Sequence, residues 1–468
     1  MKHKKLSPWI AMLLLAGMTL SLCACMGNTA PTDTDTESEY IRDTDTTEGQ
    51  TDPTQESAEA ETEESSQEEA TTNMDETKTD IELNVSMSDL QDVMQPLFDS
   101  TYIRNETVMF IDRGDIKSLL YPIESITSVT SYDGTVVYEE GKDYVLEDGK
   151  IRVTENSSIP CITSDVYYNW SESMLVTKHN GRDVNTFWGE ARPSQWQVCV
   201  NYSHKATWDG FVQECQLDVY APLIEKMKNG QDVTVFFYGD SITQGANASY
   251  IYAPYQPPYT ILFTQALADL FNYTVEYVQV DLAANVQTPP QQPYVGGDGS
   301  GGTIRYVNTA IGGWTSQHGL DNVQAFVCDQ IRRYSCDLFV VGFGMNDGNV
   351  QVGITTEFIK RIVFSALRES PDTAVMLIST MVPNPNAVNG WYGNQEQQEP
   401  ALLELAEEYR ASGVSCAVAR MTSVSLAVLE HKEFIDYTGN NINHPNDFFG
   451  RIYAQTLLQA LIGYENMK

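Results

Sequence analysis

The sequence predicts an α/β protein: a parallel sheet covered by helices on both faces, preceded by a smaller β-sandwich or jelly-roll region. Three observations carry this. From about residue 213, apolar strands alternate with amphipathic helices, the pattern of a parallel sheet buried on both sides. Between about 81 and 209, short β-branched and aromatic runs recur with hairpin signals and sparse helical periodicity. The chain has 468 residues, 42% hydrophobic and 10% aromatic, enough for two or three domains and a large core.

The chain opens on Lys2, Lys4 and Lys5, followed by an apolar run over 10–22. That run is too short to span a bilayer as a stable helix. It ends in Leu22-Cys23-Ala24-Cys25, which resembles a bacterial lipobox: an aliphatic residue, small residues, then the cysteine that is lipidated and becomes the new N-terminus. Cys25 fits better than Cys23, because Ala24 precedes it whereas the bulky Leu22 precedes Cys23. The resemblance implies a signal peptide over 1–25, a diacyl anchor on Cys25 as the one attachment to the bacterial membrane, and a place at the cell surface. The plainer alternative is an ordinary secretory signal with incidental cysteines.

Residues 26–80 read as a disordered acidic tether. Over 31–80 there are 18 Asp and Glu against Arg42 and Lys78, with no Trp or Phe. Such a segment buries too little apolar area to offset the entropy of ordering its backbone. As a coil it reaches about 40 Å or more, and charge repulsion extends it. The whole chain carries −36; with +3 in the signal and −16 in the tether, −23 remains for the folded part. That balance excludes nucleic acid as a partner, since phosphate binding needs clustered Lys and Arg, and it disfavours anionic lipid surfaces.

The β-rich region spans 81–212. Strands are predicted over 107–112, 126–131, 136–139, 144–146, 151–153 and 197–203, with Asp133-Gly134 and Asp148-Gly149 as hairpin turns. Trp170, Trp188, Trp196 and Trp208 could form a sugar platform, but aromatics of this kind are more often core. Six cysteines lie beyond the signal: Cys161, Cys199, Cys215, Cys328, Cys336 and Cys416. Their spacings match neither a compact disulfide framework nor a zinc site, so free buried thiols are expected, with Cys199–Cys215 the pair to test.

The second folded region, 213–468, begins with a helix over 221–228 that takes Pro222 in its first turn. Strands follow over 233–238, 275–280, 304–309, 338–343, 374–380 and 415–419. Helices are predicted over 260–271, 317–334, 355–368, 399–412 and 447–462. In open parallel sheets, sites form at the C-terminal ends of the strands, so chemistry should appear just after them.

It does. Gly239-Asp240-Ser241-Ile242-Thr243-Gln244-Gly245 follows the first strand and Asn308 to Ser316, with Gly312-Gly313-Trp314, the third. Gly344-Met345-Asn346-Asp347-Gly348 follows the fourth, and Asn443-His444-Pro445-Asn446 precedes the last helix. A serine hydroxyl needs a base to become a nucleophile, and His444 is the candidate base. Singly, each block has a plainer reading: an N-cap for Ser241, a turn for Gly312-Gly313, an Asx-turn at Asn346, a loop end at His444. Those readings leave unexplained why all four fall on one edge of one sheet.

The ordered set resembles the SGNH, or GDSL, hydrolase family over about residues 230–468. The resemblance implies a three-layer α/β/α fold, a nucleophile at Ser241, a base at His444, and an oxyanion hole from the backbone N–H groups of Ser241 and Gly313 and the side-chain amide of Asn346. It implies no metal and no organic cofactor. One position departs from the family pattern, which has Asp three residues before the His. Here that residue is Asn441, whose side-chain oxygen could orient the ring while stabilising the imidazolium less. A backbone carbonyl or a more distant carboxylate is the alternative, with Asp436 and Asp447 the nearest acids. Asp240 reads as a turn stabiliser.

The expected reaction is ester hydrolysis through an acyl-serine. SGNH domains joined to β-sandwiches are similar to carbohydrate esterases, which together with the acidic balance favours an acylated, most simply O-acetylated, neutral glycan. Trp314, beside the oxyanion glycine, is a candidate sugar contact or a hydrophobic closure of its loop. The loops 283–302 and 383–398, the second with Trp391 and Tyr392, are long enough to wall a cleft. A lipase, lysophospholipase or thioesterase is the alternative within the class. A non-catalytic glycan-binding lipoprotein is the alternative outside it.

Overall fold

The computed structural model describes residues 94–169, 176–179, 182–185, 192–250, 252–280, 282, 299–386 and 392–464. The signal with Cys25, the acidic tether, Trp170, Trp188, Trp391 and most of the 283–302 loop lie outside the described residues. All the described residues fall in one compact unit, Val85–Lys468.

The N-terminal part contains β1 (Tyr102–Met109), β2 (Ile116–Lys117), β3 (Ser125–Ser131), β4 (Val137–Tyr138), β5 (Tyr144–Glu147), β6 (Lys150–Val153), α1 (Ser164–Asn169), β7 (Val176–His179), β8 (Arg182–Asn185) and β9 (Gln197–Ser203). Its strands pair antiparallel, in the orders β1-β9-β3-β4, β2-β6-β5 and β7-β8. Asp148 and Gly149 both have positive φ, 50° and 74°, the two-residue turn geometry whose twist matches the flanking strands β5 and β6. The expected disulfide candidates are free thiols, Cys199 buried and Cys215 exposed.

The C-terminal part runs α2 (Leu217–Lys228), β10 (Val233–Gly239), α3 (Ser241–Gln244), α4 (Tyr259–Phe271), β11 (Tyr273–Tyr277), β12 (Gly302–Asn308), α5 (Ser316–Asp321), α6 (Asp329–Tyr334), β13 (Leu338–Gly342), α7 (Val352–Glu369), β14 (Ala374–Ser379), α8 (Gln395–Ala411), β15 (Cys416–Arg420), α9 (Met421–His431) and α10 (Asp447–Leu461). Six strands form one parallel sheet in the order β11-β12-β10-β13-β14-β15. Strand order reverses at β10, which lies between β12 and β13. Such a switch point opens a crevice at the C-terminal strand ends.

Alternation along each strand builds a core on both sheet faces. Val233, Val235 and Phe237 of β10 join one cluster with Leu223 and Ile224 of α2, Leu262 and Phe263 of α4 and Phe449 of α10. Phe236 and Tyr238 join the other, with Ile362 and Val363 of α7 and Leu402 and Leu405 of α8. This is the three-layer α/β/α arrangement. The first cluster also contains Val108 of β1 and Val198 and Val200 of β9, so the antiparallel strands share a core with the helices beside them.

Several elements differ from the sequence expectation. Residues 421–431 form α9, where no helix is predicted. The helix expected over 317–334 is broken into α5, a π-helical turn over Gln324–Cys328 and α6. At the break, the Tyr238 hydroxyl donates to the Gly319 carbonyl at 2.7 Å. Finally, α2 and α8 each start a turn earlier than predicted, placing Pro222 and Pro400 inside the helices.

Candidate active site

The site begins where β10 ends. Gly239 is the last strand residue, and a Cβ there would lie 2.3 Å from the Gly342 carbonyl oxygen and 2.5 Å from Thr243 Oγ1. Only glycine lets β10 and β13 close up while the chain turns directly into α3. Asp240 caps that single turn, its carboxylate accepting from the Ile242 N–H at 3.0 Å. Gly245 ends it at φ 100°. Burial and the nearby Asp347 carboxylate push the Asp240 acid up to about 7. The structure thus gives Asp240 the turn-stabilising place expected of it. Ser241 is the first residue of the turn and 7% exposed.

Ser241 Oγ lies 2.8 Å from His444 Nε2. The other ring nitrogen, Nδ1, lies 2.6 Å from Asn247 Oδ1. Asn247 donates its Nδ2 to the Gly439 carbonyl at 2.9 Å, which turns its oxygen toward the ring. That oxygen can only accept, so Nδ1 carries the proton and the Nε2 lone pair faces the serine hydroxyl. Desolvation pushes His444 down to about 4, so the ring is unprotonated near neutral pH and its Nε2 lone pair is free to accept a proton.

The loop carrying His444 is held by its own asparagines. Asn440 Oδ1 accepts from the N–H groups of Ile442, Asn443 and His444 at 2.9, 3.0 and 3.1 Å. Thr438 Oγ1 donates to the His444 carbonyl at 2.8 Å. Asn446 then caps α10 by accepting from Phe449 N–H at 3.2 Å.

Asn441, expected to orient the imidazole, is turned elsewhere. Its Oδ1 accepts from Asn384 Nδ2 at 3.0 Å and its Nδ2 donates to the Tyr167 hydroxyl at 3.2 Å. The residue adopts φ 57°, in the left-handed region, so the offset of three from His444 does not bring its side chain to the ring. Asn247 takes the orienting place instead. Neither acid considered in its stead faces the ring's Nδ1: Asp436 accepts from Met109 N–H at 2.8 Å and Asp447 from Ser249 N–H at 2.9 Å. The sequence signal for Asn247 is its position just beyond the first block, two residues past Gly245, the glycine that ends α3.

The remaining blocks close on Ser241. The Ser241 N–H opens α3, where first-turn N–H groups have no intrahelical acceptor. A Cβ on Gly312 would lie 3.6 Å from Ser241 Cβ, so this loop runs beside the serine. Gly313 has φ 78°, and a Cβ there would meet nothing within 4 Å, which leaves room for a reacting group. Asn346 Nδ2 donates to the Trp314 carbonyl at 2.9 Å, leaving its second amide hydrogen for another acceptor. Asp347 accepts from Ser316 Oγ at 2.6 Å and from its N–H, binding the Asn346 block to the Gly313 block a second time. The Trp314 ring packs against Phe326 at 4.8 Å and edge-on to Tyr238 at 6.4 Å, contacts that close its loop hydrophobically. Among the described residues, no group of three His, Cys, Asp or Glu could hold a metal ion, and no helix is long and apolar enough to cross a membrane.

A serine at the end of the central strand, paired with a neutral histidine whose other nitrogen is fixed, is the arrangement of a hydrolase of the esterase type. Residues 237–447 match the GDSL-like lipase/acylhydrolase family, and this part of the chain is a domain of that family. No curated protein matches the sequence. Among solved structures, the chain is similar to a two-domain esterase active on acetylated mannans, at 18% identity and TM-score 0.36, covering 54% of this chain and 55% of that one. It thus spans about half the length of that esterase. It is also similar to a carbohydrate esterase of family 3 from Talaromyces cellulolyticus (14% identity, TM-score 0.35, 48% and 94% covered) and to the lipase/acylhydrolase from Enterococcus faecalis (15%, 0.30, 48% and 94%).

Proposed function

We propose that the protein is a serine esterase that removes short acyl groups, most simply O-acetyl, from a neutral carbohydrate, and that it works at the bacterial cell surface on a lipid anchor at Cys25. The observation that carries the reading is the 2.8 Å contact between Ser241 Oγ and His444 Nε2, with Nδ1 fixed by Asn247 at 2.6 Å. His444 Nε2 takes the hydroxyl proton as Oγ bonds to the ester carbonyl carbon. The negative charge moves to the carbonyl oxygen, where the N–H groups of Ser241 and Gly313 and Asn346 Nδ2 receive it. Collapse breaks the bond to the sugar oxygen, which takes the proton back from His444. Water, deprotonated by the same nitrogen, then attacks the acyl-serine carbonyl; the bond to Ser241 Oγ breaks, Oγ takes the proton from His444, and the acid is released. Asn247 fixes the ring tautomer but, being neutral, stabilises the imidazolium less than a carboxylate would.

The substrate class rests on charge: −23 over the folded part disfavours polyanions and leaves neutral glycans. The test is hydrolysis of p-nitrophenyl acetate by the wild type and Ser241→Ala; equal rates would remove the serine mechanism. Acetate release from acetylated xylan, mannan and peptidoglycan, set against p-nitrophenyl palmitate cleavage, decides the substrate. A preference for palmitate would make the protein a lipase. Loss of membrane association and of palmitate labelling in Cys25→Ser tests the anchor.

A further inference from the structure

The loop that carries His444 is bonded on one side to the antiparallel strands rather than to the parallel sheet. Gln197, the first residue of β9, is buried and donates Nε2 to two loop carbonyls, Ile435 at 2.8 Å and Thr438 at 2.9 Å. Its Oε1 accepts from Asn446 Nδ2 at 3.2 Å, two residues past His444. On β1, Thr107 Oγ1 donates to the Asp436 carbonyl at 2.6 Å and the Met109 N–H to the Asp436 carboxylate at 2.8 Å. The Tyr167 hydroxyl of α1 accepts from Asn441 Nδ2 at 3.2 Å.

Within the loop, Asn440 and Thr438 bond its own backbone. On its other side Asn384, after β14, donates its N–H to the Ile442 carbonyl at 2.7 Å and Nδ2 to the Asn441 carbonyl at 2.9 Å, and Asn247 donates to the Gly439 carbonyl at 2.9 Å, so the loop is held between the antiparallel strands and the α/β part. Ser241, by contrast, is placed by β10 and α3. The distance between serine and imidazole is therefore set across two parts of the chain more than 200 residues apart.

We infer that the N-terminal β-rich part is a positioning element of the hydrolase site, with Gln197 and Tyr167 its positioning residues, both acting through the loop 435–446 on His444. This rests on the esterase reading above and adds to it a reason for the β-rich part other than glycan binding. Gln197 touches no reacting atom. Its two donated bonds hold the carbonyls on either side of the turn that leads into His444, and a shift of about 1 Å in a reacting group costs about 10²-fold in rate.

The test uses the full chain. Gln197→Glu keeps the side-chain shape but replaces the two donor hydrogens with acceptor oxygen facing two carbonyls. Expected is a fall in kcat of about 10²-fold with KM within about threefold, since the change misplaces the base and leaves the substrate's contacts alone. Tyr167→Phe removes one loop bond and a single oxygen; it should lower kcat several-fold in the same pattern. The second readout is the imidazole spectrum of 15N-histidine-labelled protein, in which the Nδ1–H signal of His444 should move or broaden in both variants. A lowered Tm with kcat per folded molecule and the imidazole spectrum unchanged would overturn the inference. If Gln197→Glu does not fold, Tyr167→Phe decides by the same two readouts. If the wild type hydrolyses no ester, the esterase reading fails, and the imidazole spectra of the variants still decide whether these residues place His444.

Discussion

At the scale of single residues, the sequence spacing and the structure part at the group beside the imidazole: Asn247, not Asn441, meets Nδ1. Spacing pointed to Asn441, but spacing reports direction only when the backbone between two residues is regular. Asn441 sits at φ 57° and Asn440 gathers the following N–H groups, so the count of three has no fixed geometric meaning there. The meeting of Ser241 and His444 was legible because each belongs to a block whose neighbours dictate a turn or cap. Two predictions separate the asparagines. Asn247→Ala frees the imidazole tautomer and should lower kcat by about 10²-fold or more, approaching His444→Ala. Asn441→Ala leaves Nδ1 bonded to Asn247, so it should lower kcat only several-fold, as Tyr167→Phe does, and cost about 1–3 kcal/mol of stability from the side-chain bonds lost to Asn384 and Tyr167, read as a shift in the urea midpoint. The charge of the orienter sets a third. With His444 lowered to about 4, activity should persist well below the ordinary histidine range and fall only as pH drops through that value. The same shift acts on stability: between about 6.5 and 4 the unfolded chain takes a proton that the native ring excludes, so this contribution is present above that window and lost on acidification. Asn247→Asp places a carboxylate against the ring and should move the acid limb of kcat/KM upward by about 1–3 pH units; an unmoved limb would remove Nδ1–Asn247 pairing from the account.

At the scale of elements, the six apolar strands were readable because burial on both faces leaves little choice of residue, as in β10, buried along its whole length. The helices were read less well, for two separate reasons. The sequence places Pro222 in a first turn, where proline costs no hydrogen bond, and the helix expected from 399 puts Pro400 in the same position. Each in fact lies inside its helix, where the residues before it are fixed by packing: Tyr220 is buried ahead of Pro222, and Gln395, Gln398 and Glu399 ahead of Pro400. For α9, the run Met421 to His431 mixes β-branched and apolar residues without a polar stripe, so its period is hidden, and burial of Met421, Val424 and Val428 decides its form. The strand-to-helix turn at Ser241 offers the sharpest test at this scale. Gly239→Ala drives a methyl group into the Gly342 carbonyl and Thr243. It should destabilise the protein by about 1–3 kcal/mol, seen as a lowered Tm, and should lower kcat more than it raises KM, because the strain falls on the turn that aims Ser241.

At the scale of the whole molecule, the sequence separated a β-rich part from an α/β part, and composition could take the reading no further. What joins them lies between residues hundreds of positions apart. Glu106 of β1 and Lys432, just past α9, are both fully buried and paired at 2.6 Å. Glu106 also accepts from Leu120 N–H at 2.8 Å and the Tyr202 hydroxyl at 2.7 Å, while Lys432 donates to the Thr107 carbonyl at 2.9 Å. Nearby, Lys117 pairs with Glu433 at 2.7 Å and lies 3.8 Å from the buried Asp436. Removing water from such a pair is costly, so its presence is weak evidence for stability; breaking it is another matter, because the remaining buried carboxylate keeps its hydrogen bonds but loses its paired cation and has no solvent to replace it. Lys432→Met should therefore destabilise by about 3–5 kcal/mol. Because the lost pair spans both parts and they share one hydrophobic cluster, the loss should lower a single transition rather than release one part from the other. Calorimetry checks this directly. Wild type and Lys432→Met should each give one peak whose calorimetric and van't Hoff enthalpies agree, with the variant's peak at lower temperature. Two resolved peaks in the wild type would mean that the strands holding the His444 loop can melt while the parallel sheet stands. The serine and its base would then be separable by heat, which the shared core and the buried pair both argue against.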